Sequence, residues 1–183
     1  AGDSKADMLI VKAGEGDYQG LTALMVAAYK GKVNATKALL ANAGDFKEDM
    51  LIAKAGESHY KGQTALMIAV TWYSDDAIKA LLANAGDFKA DMLIAKAGEG
   101  NEKGLTALMI AAREGSVDAI KALLATAAAD DKATLLKAEA GEGYYKGMTA
   151  LKIAANADKS VIVEKLKIAC KEAGLDEDTC EEK

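Results

Sequence analysis

Few residues in this chain could do chemistry. His59 is the sole histidine among 183 residues, and Cys170 and Cys180 are the only cysteines. A hydrolytic triad would have to be built on His59. No neighbouring Cys or His accompanies it, and the positions equivalent to it in the repeats described below are Asp17, Asn101 and Tyr144. A surface polar residue fits that variation better than a general base does. Cys170 stands where other repeats carry Ala43, Ala85 and Ala127, which reads as a small packed position rather than a nucleophile. The Gly-Glu-Gly stretches at 14–16, 98–100 and 141–143 do not continue as Gly-Lys-Ser/Thr or as Gly-X-Gly-X-X-Gly after a strand, so they read as turns and not as phosphate loops. Asp176-Glu177-Asp178 lacks the Gly and terminal Glu of a calcium loop. Glu15, Glu57, Glu99 and Glu142 form a ladder that is expected to stay hydrated rather than hold a cation. The expectation is no catalytic residue, no metal and no cofactor.

Composition narrows the partner class. The chain is 51% apolar and 28% charged, with 23 Lys and Arg against 28 Asp and Glu, and a net charge of −5. That is an ordinary globular balance, and its sign disfavours nucleic acid, whose binding rests on neutralising phosphates. The richest apolar stretch, Ala122 to Ala129, falls far short of the roughly 18 residues needed to cross a bilayer. The opening residue is Ala1 rather than Met, which favours a processed export signal and hence a periplasmic or secreted location, with the cytoplasm as the alternative. In an oxidising compartment Cys170 and Cys180 are expected to form a disulfide; in a reducing one they are two thiols.

The elements that would position these residues come from internal repetition. Gly-X-Thr-Ala-Leu recurs at Thr22, Thr64, Thr106 and Thr149, which divides the single domain 1–183 into units 2–43, 44–85, 86–127 and 128–170 with a cap at 171–183. The second and third units share 31 of 42 positions. One supersecondary unit is being stacked. In the third unit Thr106 caps a helix Ala107–Glu114 that Gly115 closes, and Ser116 caps a second helix through Ala125, antiparallel to the first. The segment Asp87–Gly98 reads as a short third helix with Phe88, Met92 and Leu93 on one side, extended backbone being the alternative. Polar, Gly-flanked loops follow at Gly16–Gly20, Ser58–Gly62, Gly100–Gly104 and Gly143–Gly147, and should project as a row of fingers with any strand content confined to them.

Gly-X-Thr-Ala-Leu-Met-X-Ala-Ala followed by Ala-Ile-Lys-Ala-Leu-Leu resembles the ankyrin repeat, over essentially the whole chain. The resemblance implies an all-α solenoid of four helix-turn-helix units, here with an extra short helix per unit that takes up a repeat of about 42 residues. Two departures stand out. The family's Pro is Ala23, Ala65, Ala107 and Ala150, and its His is Met25, Met67, Met109 and Lys152, which removes the hydrogen bonds that His makes.

In ankyrin proteins the fingers and the ends of the first helices form the concave, partner-contacting side. Carried onto this sequence, those places hold Tyr18, Gln19, Leu21, Tyr29 and Lys30 in the first unit. The second offers His59, Tyr60, Lys61, Gln63, Thr71, Trp72 and Tyr73. The third offers Glu102, Lys103, Leu105, Arg113 and Glu114, and the fourth Tyr144, Tyr145, Lys146 and Met148. Of the 11 differences between the second and third units, eight fall in the finger with its exit (His59, Tyr60, Gln63) and in the end of the first helix with the following turn (Val70, Thr71, Trp72, Tyr73, Asp75). All six tyrosines lie there as well. Aromatics set on a surface are the composition of a binding patch, simple surface drift being the alternative. Trp72 is expected at its centre, flanked by Tyr29, Thr71 and Arg113 and facing Tyr18 and Tyr60. Tyr73 replaces the turn glycine of Gly31 and Gly115, a local rule broken next to the only Trp.

The expected function is a non-enzymatic, monomeric module that binds one protein partner, such as an enzyme with a cleft that the fingers enter. Within that class an inhibitor or immunity-type regulator in a bacterial envelope is favoured. A designed or consensus scaffold without a natural ligand is the alternative, and an enzyme would need a site that the residues do not supply.

Overall fold

The computed structural model describes residues 9–175. Its architecture follows from four threonines. Thr22, Thr64 and Thr106 sit in extended backbone, and each side-chain oxygen accepts the backbone N–H of the methionine three residues on, at 3.3, 3.4 and 3.4 Å. The thioether of that methionine in turn accepts the threonine N–H, at 3.4 Å in all three. A capping box normally uses Glu or Gln for this return bond, and sulfur is a weak acceptor. Methionine thus supplies one hydrogen bond at the position where the family's histidine bonds are missing. Thr149 accepts from Lys152 N–H at 3.4 Å.

These caps start the first helix of each unit: α1 (Ala23–Tyr29), α4 (Ala65–Thr71), α7 (Ala107–Glu114) and α10 (Ala150–Asn156). The second helices are α2 (Val33–Ala41), α5 (Asp75–Asn84), α8 (Val117–Thr126) and α11 (Ser160–Glu172). Ser116 caps α8 as expected, accepting Ala119 N–H at 3.3 Å. The turn between first and second helix places its residue in the left-handed region every time, with φ of 62° at Gly31, 52° at Tyr73, 80° at Gly115 and 55° at Asp158.

The third row comprises α3 (Lys47–Ile52), α6 (Lys89–Ile94) and α9 (Ala129–Lys137), the first two entered through a 3₁₀ turn at Gly44–Phe46 and Gly86–Phe88. The segment 86–94 is therefore helical as read. Beyond it Ala95 leaves the helix at φ −52° and ψ 133°. The cause is hydrogen bonding: Ala97 N–H donates to Leu105 C=O across the finger, at 2.9 Å. Similarly α11 runs through Glu172, so the expected cap at 171 begins inside a helix, and residues 176–183 lie outside the described chain.

First helices stack on first helices, second on second, and α3, α6 and α9 follow as an outer row. Leu66, Met67, Ile68, Leu108, Met109 and Ile110 are wholly buried between these rows. Stacking, not the unit itself, buries much of this surface. Ala65 and Ala107 are 1% exposed, whereas the equivalent Ala23 of the first unit is exposed.

The fingers are closed and tied together by backbone. In the second, Ala55 N–H donates to Gln63 C=O at 2.8 Å and Gly62 N–H to Ala55 C=O at 2.9 Å, and the same pair recurs in the other three. Each finger also bonds to its neighbour: Gly56 N–H to Gly20 C=O at 2.7 Å, Gly98 to Gly62 at 2.9 Å and Gly141 to Gly104 at 3.2 Å. Gly62 has φ +79°, and a Cβ there would run into the backbone of Glu99. Among the described residues strand-like pairing is confined to isolated bridges in the first finger, Lys12 with Thr22 and Ala13 with Gln19. Among the described residues no helix is long and apolar enough to cross a membrane.

Candidate functional site

A fixed register brings the finger and the first-helix end of one unit together. The finger position of Tyr18, Tyr60, Glu102 and Tyr145 lies eleven residues before the helix-end position of Tyr29, Thr71, Arg113 and Asn156, the separation across which Glu102 meets Arg113. In the first unit that slot is aromatic: Tyr18 and Tyr29 meet edge-on with ring centroids 6.3 Å apart. Trp72 then reaches back from the end of α4 onto the same Tyr29, at 4.9 Å and nearly perpendicular. Tyr60 completes the group, 5.9 Å from Tyr29 and 6.3 Å from Trp72, and carries His59 edge-on at 5.3 Å. Edge-to-face pairs of this kind add about 0.5–1.5 kcal/mol each beyond burial. Trp72 still keeps 47% of its surface in solvent. The expected grouping of Tyr18, Tyr29, Tyr60 and Trp72 is present.

Lys30, next along the chain from Tyr29, holds its ammonium 5.3 Å from the ring centres of both Tyr18 and Tyr29. The Tyr18 hydroxyl, followed by the charges around it, raises the Lys30 pKa. Burial and then the neighbouring Tyr29 raise that of Tyr60.

The third unit fills the slot differently. Arg113 does not lean toward Trp72. Its guanidinium grips Glu102 with two parallel bonds, Nη1 to Oε2 at 2.6 Å and Nη2 to Oε1 at 2.9 Å, and also reaches Glu114 Oε1 at 2.6 Å. Burial opposes the charge on Arg113, and the bonds to Glu102 and Glu114 outweigh it, so its pKa rises above the ordinary range. Glu102 is only 8% exposed. The signal for this clamp was the same finger-to-helix register that pairs Tyr18 with Tyr29.

Other expected contact residues scatter. Leu21 and Leu105 are buried in the core and support their fingers from within. Gln63 is also buried, and its side-chain oxygen accepts from the Thr71 hydroxyl at 3.5 Å. Their burial takes these three off the surface, because each finger must fill its underside. Tyr73 lies beside Trp72 in sequence, but its hydroxyl donates to the Glu114 carbonyl at 3.2 Å, which ties the second unit to the third. Tyr144 is 80% exposed and meets Tyr145 edge-on at 4.8 Å as a separate pair on the fourth finger. Gln19, Lys103 and Lys146 are exposed, and Met148 is half-buried.

The carboxylate ladder is more than hydrated. Lys61 bridges Glu57 at 2.6 Å and Glu99 at 2.9 Å, and Lys103 pairs with Glu142 at 2.5 Å. The bond from Lys61 pulls the Glu99 pKa down, and the bond from Lys103 does the same to Glu142. Cys170 is buried near the end of α11, while its expected partner Cys180 and the acidic run Asp176–Asp178 lie outside the described residues. Among the described residues no three His, Cys, Asp or Glu side chains gather as metal ligands. The arrangement offers aromatic surface and fixed charge, and those are means of binding.

Stacked helix pairs joined by stitched fingers, with variable side chains on one edge, define a helical repeat protein. A family model described as "Ankyrin repeats (3 copies)" matches residues 3–92 and 83–176, and the chain belongs to the ankyrin-repeat family. Ankyrin repeats are generally protein-protein interaction modules and typically not enzymes. No curated protein matches the chain.

Proposed function

We propose that this chain binds one protein partner through the aromatic cluster of its first two units, with Trp72 as the anchor. One observation carries the reading. Trp72 is half in solvent yet held edge-on by Tyr29 of the preceding unit at 4.9 Å, so a large aromatic is presented in a fixed pose on a rigid stack. Such a residue loses its remaining water when a partner covers it and is already ordered beforehand, and both effects favour affinity. The equivalent positions Lys30 and Glu114 carry no aromatic, so stacking of the units does not require one there.

Within this reading the partner is an enzyme of a bacterial envelope and the chain, a monomer, is its inhibitor or immunity-type regulator. The stitched row of fingers supports that step, because a stiff projecting edge suits insertion into a cleft. The test captures partners from an envelope extract with the natural chain and with Trp72→Ala. Truncation should weaken capture of one enzyme by about thirtyfold, the equivalent of about 2 kcal/mol, while the melting temperature falls by no more than a few degrees. A large fall in melting temperature with undiminished capture per folded molecule would make Trp72 a structural residue.

A further inference from the structure

The same cluster carries information about what it recognises. The expected contact residues of the first three units include four cations: Lys30, Lys61, Lys103 and Arg113. Three are committed, Lys61 to Glu57 and Glu99, Lys103 to Glu142, and Arg113 to Glu102 and Glu114. Lys30 has no carboxylate within ion-pair distance among the described residues; Asp17 acts on it only as a weaker, more distant charge. Its ammonium instead rests over the faces of Tyr18 and Tyr29, at the rim of the surface that Tyr29, Tyr60 and Trp72 form.

We infer that this patch takes a peptide segment bearing one large apolar side chain with a single carboxylate beside it, the apolar group lying on Trp72 and Tyr29 and the carboxylate meeting Lys30. The inference rests on the protein-binding reading above and adds the chemistry of the partner. A cation parked on two rings is already positioned, so less freedom is lost when an anion reaches it. A basic segment is disfavoured twice. Lys30 repels it, and Glu102 and Glu114, the carboxylates of the neighbouring slot, are occupied by Arg113. A strongly acidic segment is disfavoured by the chain's own net charge of −5, which repels polyanions at long range. One carboxylate next to an apolar group satisfies both conditions.

The experiment selects random linear peptides, displayed on phage, against the immobilised full chain. Binding of each enriched peptide is then followed by the emission of Trp72, the only tryptophan. Enriched peptides should share an aromatic or large aliphatic residue adjacent to Asp or Glu. Changing that acid to its amide, or Lys30→Gln in the chain, should each weaken binding by about tenfold, and together by no more than either alone. Lys30 is exposed, so Lys30→Gln should melt with the natural chain. Peptides that depend on Trp72 but bind Lys30→Gln equally well, or that carry Lys or Arg in place of the acid, overturn the carboxylate inference and leave the binding patch standing. A selection that yields nothing above the background of the Trp72→Ala chain overturns both.

Discussion

Arg113→Met isolates the clamp of the third unit. The change preserves side-chain bulk but strands Glu102, whose side chain is 10% exposed against 20% for Arg113 and 29% for Glu114. Removing one partner of a fully buried pair typically costs about 3–5 kcal/mol, because the other charge is left desolvated. Here the residual exposure on both sides admits some water, so the cost works out at about 2–3 kcal/mol. For a chain of this size each kcal/mol moves the melting temperature by about 2–4 °C, which gives a fall of roughly 4–12 °C by scanning calorimetry. A urea titration should show a lower midpoint with an unchanged slope. The double variant Glu102→Leu, Arg113→Met should recover most of the loss, since neither charge is then stranded. A single-variant loss below about 0.5 kcal/mol, the level of an exposed pair, would refute the reasoning and reduce the clamp to surface decoration.

Other outcomes follow from the same geometry. Gly62→Ala and Gly104→Ala force a Cβ into the backbone of the next finger at positive φ, so each should lower stability by about 2 kcal/mol or more, whereas Gly147→Ala, with open space around it, should cost only about 1 kcal/mol in a thermal melt. Tyr73→Phe should lose about 1 kcal/mol with the bond to Glu114, while Tyr73→Gly should sit near the natural stability because relief at φ 52° offsets that loss. Glu99 and Glu142 have lowered pKa values, so what they contribute is present at neutral pH and is lost as pH falls through their folded values. Lys61 has a raised one, so its share is lost only as pH climbs past the ordinary lysine range. Melting curves of Lys61→Met, Lys103→Met should therefore fall less on acidification than those of the natural chain; parallel curves would remove the ladder from the acid response. Alkylation without reductant should add no mass at Cys170 and Cys180, and two adducts would remove the disulfide together with the export reading.

What was legible in the sequence depended on whether repetition carried it. Thr22, Thr64, Thr106 and Thr149 recur in the same Gly-X-Thr-Ala-Leu frame, so one capping argument located every first helix. The left-handed turn was equally readable, since Gly31 and Gly115 imply a positive φ at Tyr73. Two features escaped for different reasons. The methionine sulfur bonds at Met25, Met67 and Met109 were missed because thioethers seldom serve as caps and propensity arguments treat them as apolar. The inward placement of Leu21, Gln63 and Leu105 was missed because a family position was carried over as a surface one, although two of the three are leucines that a finger needs on its underside.

On the proposed reading, the two fillings of one slot divide binding and stability along the stack. Tyr18 with Tyr29 and Glu102 with Arg113 occupy equivalent places, and each joins a finger to a helix end. The ion pair satisfies its own polar groups, so a partner that covered it would gain little and would have to displace water from charges already matched. The aromatic pair joins Tyr60, Trp72 and Lys30 in one group, which leaves Trp72 half in solvent and Lys30 exposed. A rigid scaffold can therefore carry a sticky end and an inert end on the same face without any change in backbone, and the boundary between them falls at Trp72, where the aromatic surface of the second unit meets the clamp of the third. Exchanging the slots, with Tyr18→Glu and Tyr29→Arg in the first unit, should abolish partner capture while leaving the helical content intact; capture that survives the exchange would place the binding energy elsewhere on the stack.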